Sequence, residues 1–211
     1  ATSRLILHRD IKEEFTNLLL ERVHQLRLGL GTAPQTEVGP LINSAQLQRV
    51  NHYLEIARAE GTKVLTGGET ANTENLAHGF FFQPTVLDRV TPEMRVAKEE
   101  IFGPVVGLIE VDSFEEAIAI LNNTPYGLSS SVYTRDVNLA FQAMRDIEAG
   151  ITYINGPTIG AEVHLPFGGM KQTGNGHREV GTAALDVFTE WKTVYVDYSG
   201  SLQRAQIDNR D

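Results

Sequence analysis

The 211-residue sequence contains no cysteine. This single absence removes disulfides, thiolate metal ligands and a thiol nucleophile, so any fold must be held by packing and hydrogen bonding. Long apolar runs are also missing. None approaches the roughly 20 residues that cross a bilayer, and the N-terminal stretch lacks the charged-then-apolar pattern of a secretion signal. No membrane association and a cytoplasmic location are expected. Basic charge is scarce, with 18 Lys and Arg against 27 Asp and Glu for a formal charge of −9. The acids are spread through the chain rather than gathered in a tail, which argues against a nucleic-acid surface. The six histidines, His8, His24, His52, His78, His164 and His177, fall in no HxxxH or HxH spacing, so no metal site is expected.

What is present is ordinary for a soluble globular chain of one or two domains: 41% hydrophobic and 21% charged residues, enough to bury a sizeable core. A short apolar run at 4–8 reads as a strand. Asp10 then reads as a helix cap with Glu13 as its capping-box partner, and Ile11, Phe15, Leu18, Leu19, Val23 and Leu26 form the inward face. A second helix starts at Ser44, turns Leu47, Val50, Tyr53, Leu54 and Ala57 inward, and stops at Gly61 before a strand at 63–65. Residues 67–77 are polar and read as a surface loop.

Residues 80–87 read as extended, with Pro84 placing them at an edge or bulge. A cleaner strand covers 105–111. Ser113 and Glu116 form a capping box opening a helix through Leu121. Residues 129–133 form another strand, and 136–148 a helix with Val137, Ala140, Phe141, Met144 and Ile147 on its apolar face. Gly150 and a strand at 151–155 follow. Alternating strands and helices predict an α/β fold, a mostly parallel sheet with helices on both faces. After a short helix around 183–188, residues 192–198 alternate as a strand with no evident partner in the chain; such a strand is suited to pairing with another subunit.

Three segments carry chemical interest. Glu99, Glu100, Ile101, Phe102, Gly103 and Pro104 place two acids and an aromatic at a turn before a strand. One reading has a carboxylate accept hydrogen bonds from ligand hydroxyls beside a flat apolar wall; pattern alone favours the other reading, a solvated acidic turn with a core phenylalanine. Residues 155–169 begin at the C-terminal end of a strand, where open α/β sheets bind ligands. There Thr158, Gly160 and Ala161 would let a ligand approach the backbone and Glu162 is the only acid, unless the glycines serve turn geometry alone. The run 168–176 has neither the GxxxxGK[ST] nor the GxGxxG order, so close backbone packing or subunit contact is the better reading than phosphate binding.

Taken together, the EEIFGP motif at 99–104 and the PFGG motif at 166–169 resemble those of the NAD(P)-dependent aldehyde dehydrogenases, and the resemblance runs from Thr2 to Tyr198. It implies an aldehyde dehydrogenase catalytic domain at 1–188, an oligomerisation strand at 189–200 and a tail at 201–211. In that family an Ala-Thr-Ser-Arg-type sequence follows the catalytic cysteine of a GQxC motif. The resemblance thus implies that the nucleophile, the general-base glutamate and the dinucleotide-binding half lie outside these residues. None of the residues present is a catalytic candidate, and the chain alone is expected to be inactive.

By the same resemblance, Glu100 matches the glutamate that hydrogen-bonds the nicotinamide ribose and Phe102 the aromatic beside the nicotinamide. Gln46 and Arg49 match a glutamine and a lysine that reach the ribose, with arginine replacing the usual lysine. The family's thiolate attacks the aldehyde, hydride passes to NAD or NADP, and water releases the carboxylate. The loop is similar to that of the α-aminoadipic semialdehyde dehydrogenase (antiquitin) branch, which implies Gly160, Ala161, Glu162 and Phe167 as substrate-facing residues. Glu162 would pair with an α-ammonium group. His164, Leu165 and Pro166 depart from that branch, and an oxo-acid semialdehyde or a plain aliphatic aldehyde are the alternative substrates. The implied partners are a small aldehyde, the N-terminal half of the same enzyme and further copies of the chain. The competing reading is a noncatalytic structural or binding domain derived from the family.

Overall fold

The computed structural model describes residues 2–73, 76–160 and 162–201. Its centre is a four-stranded sheet in the order β1, β4, β3, β2, formed by β1 (Arg4–His8), β2 (Lys63–Thr66), β3 (Thr85–Asp88) and β4 (Val105–Val111). β1 and β3 both run parallel to β4, with Ile6 opposite Ile109 and Val86 opposite Val106; β2 is antiparallel to β3 at the edge. Side chains alternate across these strands. One face, with Leu7, Val86 and Leu108, packs against Leu19, Leu20 and Val23 of α1 (Arg9–Gln25). The other, with Leu87, Val105 and Ile109, packs against Val50, Tyr53, Leu54 and Ala57 of α2 (Ser44–Ala59) and Val96 and Ala97 of α3 (Arg95–Lys98). The expected α/β arrangement with helices on both faces is present.

A second unit follows β4. Ile118 of α4 (Phe114–Asn122) meets Ala143 and Ile147, at the end of α5 (Val137–Asp146), above the parallel pair β6 (Ser129–Val132) and β7 (Ile151–Ile154). The short strands β5 (Tyr126–Gly127) and β8 (Met170–Lys171) pair antiparallel, and α6 (Leu185–Phe188) closes the series. Arg4 joins the two units: its guanidinium donates to the carbonyls of Ile120 and Leu121 at 3.1 and 3.2 Å. These are among the last carbonyls of α4, which have no partner within the helix. Burial lowers the pKa of Arg4 from its usual value.

Several local expectations are corrected. The α1 cap is His8, whose side chain accepts from the Asp10 backbone N–H, so Asp10 lies inside the first turn. On that helix Ile11, Phe15 and Leu18 are exposed, because the sheet takes the stripe through Leu19, Leu20 and Val23. Pro84 does not mark an edge. It precedes β3, an interior strand, at a point where the missing N–H interrupts no ladder, and pairing starts with Thr85 donating to Pro104 O at 2.8 Å. Ser113 accepts from Glu116 N as a capping box requires, but the Glu116 carboxylate reaches back to Asp112 N rather than to the cap itself. The buried residues here are Ala143 of α5 and Ile147 at its C-cap, while Val137, Phe141 and Met144 are exposed. The periodicity is helical in either case and does not say which of two adjoining stripes meets α4.

Residues 192–198 form no ladder with the described part of the chain, and Trp191, Tyr195 and Tyr198 are almost fully exposed. The tail assigned to 201–211 lies outside the described residues apart from Ser201.

Candidate functional site

The loop from Glu99 to Gly103 connects α3 to β4, and α2 holds it from beneath. Asn43 caps α2 by accepting from Gln46 N at 2.9 Å, which sets the helix start. One turn along, the Gln46 side-chain amide donates to Ile101 O at 2.9 Å and Phe102 O at 2.8 Å. A further turn on, Arg49 donates to Glu100 O at 2.6 Å. Three successive carbonyls are therefore fixed by two α2 side chains. Gly103 brings the loop onto the helix, since a Cβ there would come within 2.5 Å of a Val50 methyl.

Held in this way, Phe102 adopts a left-handed backbone, φ 57°, and its side chain is 71% exposed. The conformation is costly for an aromatic residue and persists only where the surroundings enforce it. A phenylalanine in the core was the favoured reading of the pattern alone; the buried residue is instead its neighbour Ile101. Glu100 is also exposed, and the α2 residues engage its backbone carbonyl and not its carboxylate. All four residues expected at the cofactor thus come together, with Glu100 and Phe102 displayed and Gln46 and Arg49 supporting them.

Glu99 behaves differently from Glu100. Its carboxylate accepts a two-pronged contact from Arg95 one helical turn earlier, at 2.7 and 2.9 Å, and the Tyr53 hydroxyl at 2.7 Å. The Arg95 fork and then the Tyr53 hydroxyl lower its pKa to about 2. Arg49 and Arg95 lie over the Tyr53 ring at 5.2 and 5.9 Å. Tyr53 is buried at 5% exposure, and burial followed by the bond to Glu99 raises its pKa. Glu60, at the end of α2, accepts from Arg95 N at 2.9 Å and secures the start of α3. Sequence reasoning had read Tyr53 only as core and had not assigned Arg95; the four-residue spacing of Arg95 and Glu99 was the available signal.

The second candidate loop leaves β7 at Asn155, which is left-handed at φ 56° and ties itself to Thr134 through both ends of its amide at 2.8 and 3.0 Å. Hydroxyls beneath hold the carbonyls that follow: Ser131 donates to Gly156 O, Ser129 to Thr158 O at 3.3 Å and Tyr153 to Gly160 O. Gly160 has φ +101°, open to glycine at little cost. Glu162 is exposed, and Phe167 is half-buried where it pairs with Glu179 through two 2.7 Å backbone bonds. Ala161 lies outside the described residues. The Thr2 and Thr158 hydroxyls meet at 2.8 Å, which ties this loop to the segment leading into β1. The glycine-rich run 168–176 is a close-packed backbone crossing, as its sequence suggested: a Cβ on Gly168, Gly169 or Gly174 would collide with neighbouring atoms.

The aldehyde dehydrogenase family model matches residues 1–194. Among curated proteins the chain is 42% identical over 199 residues to an α-ketoglutarate semialdehyde dehydrogenase of Haloferax volcanii, covering 94% of this chain and 41% of that one. It is 38% identical over 195 residues to a betaine aldehyde dehydrogenase of Brucella anthropi, covering 92% and 40%. Among solved structures, the betaine aldehyde dehydrogenase of Staphylococcus aureus in complex with NAD+ superposes with a TM-score of 0.85 at 33% identity, covering 88% of this chain and 37% of that one. The chain spans about 40% of the length of the curated relatives it matches. With the family model matched over nearly the whole sequence and solved members of the family sharing the fold, the chain belongs to the aldehyde dehydrogenase family.

Proposed function

We propose that this chain is part of an enzyme that oxidises an aldehyde to a carboxylate with NAD or NADP. The observation that carries the reading is the loop over α2, where an exposed carboxylate and an exposed ring stand on one rigid turn. Glu100 suits the hydroxyls of a ribose, and Phe102 suits the face of a flat heterocycle. Bound there, the nicotinamide supplies the hydride acceptor. Gln46 uses its amide N–H groups on the loop carbonyls and keeps its carbonyl oxygen as an acceptor for a ribose hydroxyl. Arg49 retains further N–H groups after its bond to Glu100 O. Each supports the cofactor through the loop and by direct contact. The nucleophile and general base are supplied by the rest of the protein, and the chain by itself turns over no aldehyde. Residues 192–198, with their exposed aromatic neighbours, serve assembly with further copies.

The substrate is a semialdehyde taken at the loop 156–167. The 42% and 41% identities to α-ketoglutarate semialdehyde dehydrogenases of Haloferax volcanii and Bacillus subtilis support an oxo-acid semialdehyde. The exposed Glu162 supports the second reading, the amino-acid semialdehyde of the antiquitin branch, because it offers a partner to an α-ammonium. An oxo-acid chain requires Glu162 to face away from the carboxylate of the substrate, since two like charges in contact oppose each other. The test is production of NADH or NADPH by the full-length protein with each semialdehyde and with a plain aliphatic aldehyde, repeated with Glu162→Gln. Selective loss on the amino-acid substrate supports the ammonium pairing. Retained preference for the oxo-acid assigns the first reading, and no reduced cofactor from any aldehyde overturns the function.

A further inference from the structure

Glu99 is the acid of the motif that the cofactor reading leaves without a role, although it has far more contacts than Glu100. Its carboxylate lies within a chain of groups running from the surface into α2: Arg95 grips it in a fork, Tyr53 donates to it from a buried ring, and Arg49 stacks on that ring while reaching Glu100 O at 2.6 Å. Glu60 holds Arg95 from the other side through its backbone N–H. Through the Arg49 bond these groups reach the Glu100 carbonyl, two residues before the strained Phe102.

We infer that Glu99, Tyr53 and Arg95 form a positioning cluster that fixes Arg49, and through it the Glu100 and Phe102 loop, in the geometry that receives the nicotinamide ribose. The physical need is plain. A left-handed phenylalanine with an exposed ring gains little from burial, so the turn is held by its carbonyl bonds and by whatever holds their donors. The carbonyls at 101 and 102 are held by Gln46, but the one at 100 depends on a long, otherwise flexible arginine. Stacking on Tyr53 restricts that arginine, and Glu99 in turn fixes the orientation of the Tyr53 hydroxyl. The Arg95 and Glu99 pair is bidentate, which adds direction as well as attraction. None of the three needs to touch substrate or cofactor.

This inference rests on the cofactor reading of the Glu100 loop, and its test separates the two. In the full-length protein, NADH binding is followed by fluorescence titration for Glu99→Gln, Tyr53→Phe, the pair combined, Arg95→Lys, and Glu100→Gln with Phe102→Ala as reference variants. Losing one charge-assisted contact of the cluster should weaken NADH binding by roughly tenfold. The combined Glu99→Gln and Tyr53→Phe change should weaken it little more than either alone, because both cut the same connection. Arg95→Lys, which keeps the charge but loses the fork, should lie between wild type and Glu99→Gln. Faster amide hydrogen exchange at 100–103 should accompany each cluster variant. A purely structural defect lowers the active fraction without changing the dissociation constant of the molecules that remain folded. Wild-type NADH affinity in the cluster variants, with weakened binding in the reference variants, overturns the positioning role. Wild-type affinity in the reference variants overturns the cofactor reading itself.

Discussion

Gly150 lies directly beneath Gly168, so close that a Cβ on the first would overlap the carbonyl oxygen of the second. The contact joins the entry to β7 with the start of the glycine-rich run, and Gly150 N also bonds Gly127 O at 2.9 Å. Three backbone segments therefore meet where no side chain fits. Gly150→Ala should destabilise the protein by roughly 1–3 kcal/mol, the range for overpacking a well-packed site. Urea unfolding checks it. An unchanged midpoint would show that the crossing opens at little cost.

Glu99 makes stability depend on acid. Its folded pKa of about 2 lies below the usual carboxylate value of 4.5, because the Arg95 fork and then the Tyr53 hydroxyl favour the charged form. A depressed carboxylate contributes stability that is fully present above the unfolded pKa and is lost as pH falls through the folded one. The contribution should fade between about pH 4.5 and 2. As the side chain is 39% exposed, solvent screening reduces the expected size to about 1 kcal/mol. Comparing unfolding of wild type and Glu99→Gln at neutral pH and near pH 3 measures it: the difference should shrink in acid, and a constant difference would contradict the linkage.

Phe102 exchanges stability for display. Phe102→Gly relieves a left-handed backbone that costs an L-residue about 1–2 kcal/mol, offset by the larger entropy of glycine in the unfolded chain. The ring is largely exposed, so little burial is lost. A net gain of about 0.5 kcal/mol is expected in thermal unfolding, while Phe102→Ala, which keeps the strain, should gain nothing. Equal behaviour of the two variants would remove strain from the account.

Arg4 is one tie between the central sheet and the second unit. Arg4→Met keeps much of its length but leaves the Ile120 and Leu121 carbonyls without their donor. The expected loss is about 1.5–3 kcal/mol, as for hydrogen bonds from a charged group. Chemical denaturation measures the loss, and hydrogen exchange in α4 should rise most at its C-terminal turn. A uniform rise across the chain would point to a global effect instead.

Much of the fold was legible in local pattern. The apolar run 105–111 marked β4, Gly61 marked the end of α2, and Ser113 marked the start of α4. The misassigned helix faces had one cause. Ile11, Phe15 and Leu18 on α1, and Val137, Phe141 and Met144 on α5, carry the right spacing for burial yet face outward in the described chain. Spacing identifies a stripe but not the surface that meets it. For the site, motif residues were legible and their supports were not, because Tyr53 and Glu99 are 46 positions apart and only folding brings them to 2.7 Å.

The amino-acid sequence alone determined the helix and strand periods, the lack of any thiol chemistry within these residues, and the two motifs that mark the family. Those properties depend on residue type and short-range spacing, which the chain carries wherever it is placed. The tertiary structure decided which acid of the Glu99 and Glu100 pair is displayed and which is engaged. Adjacent residues on an extended chain point in opposite directions, and α2 supplies Tyr53 on only one side.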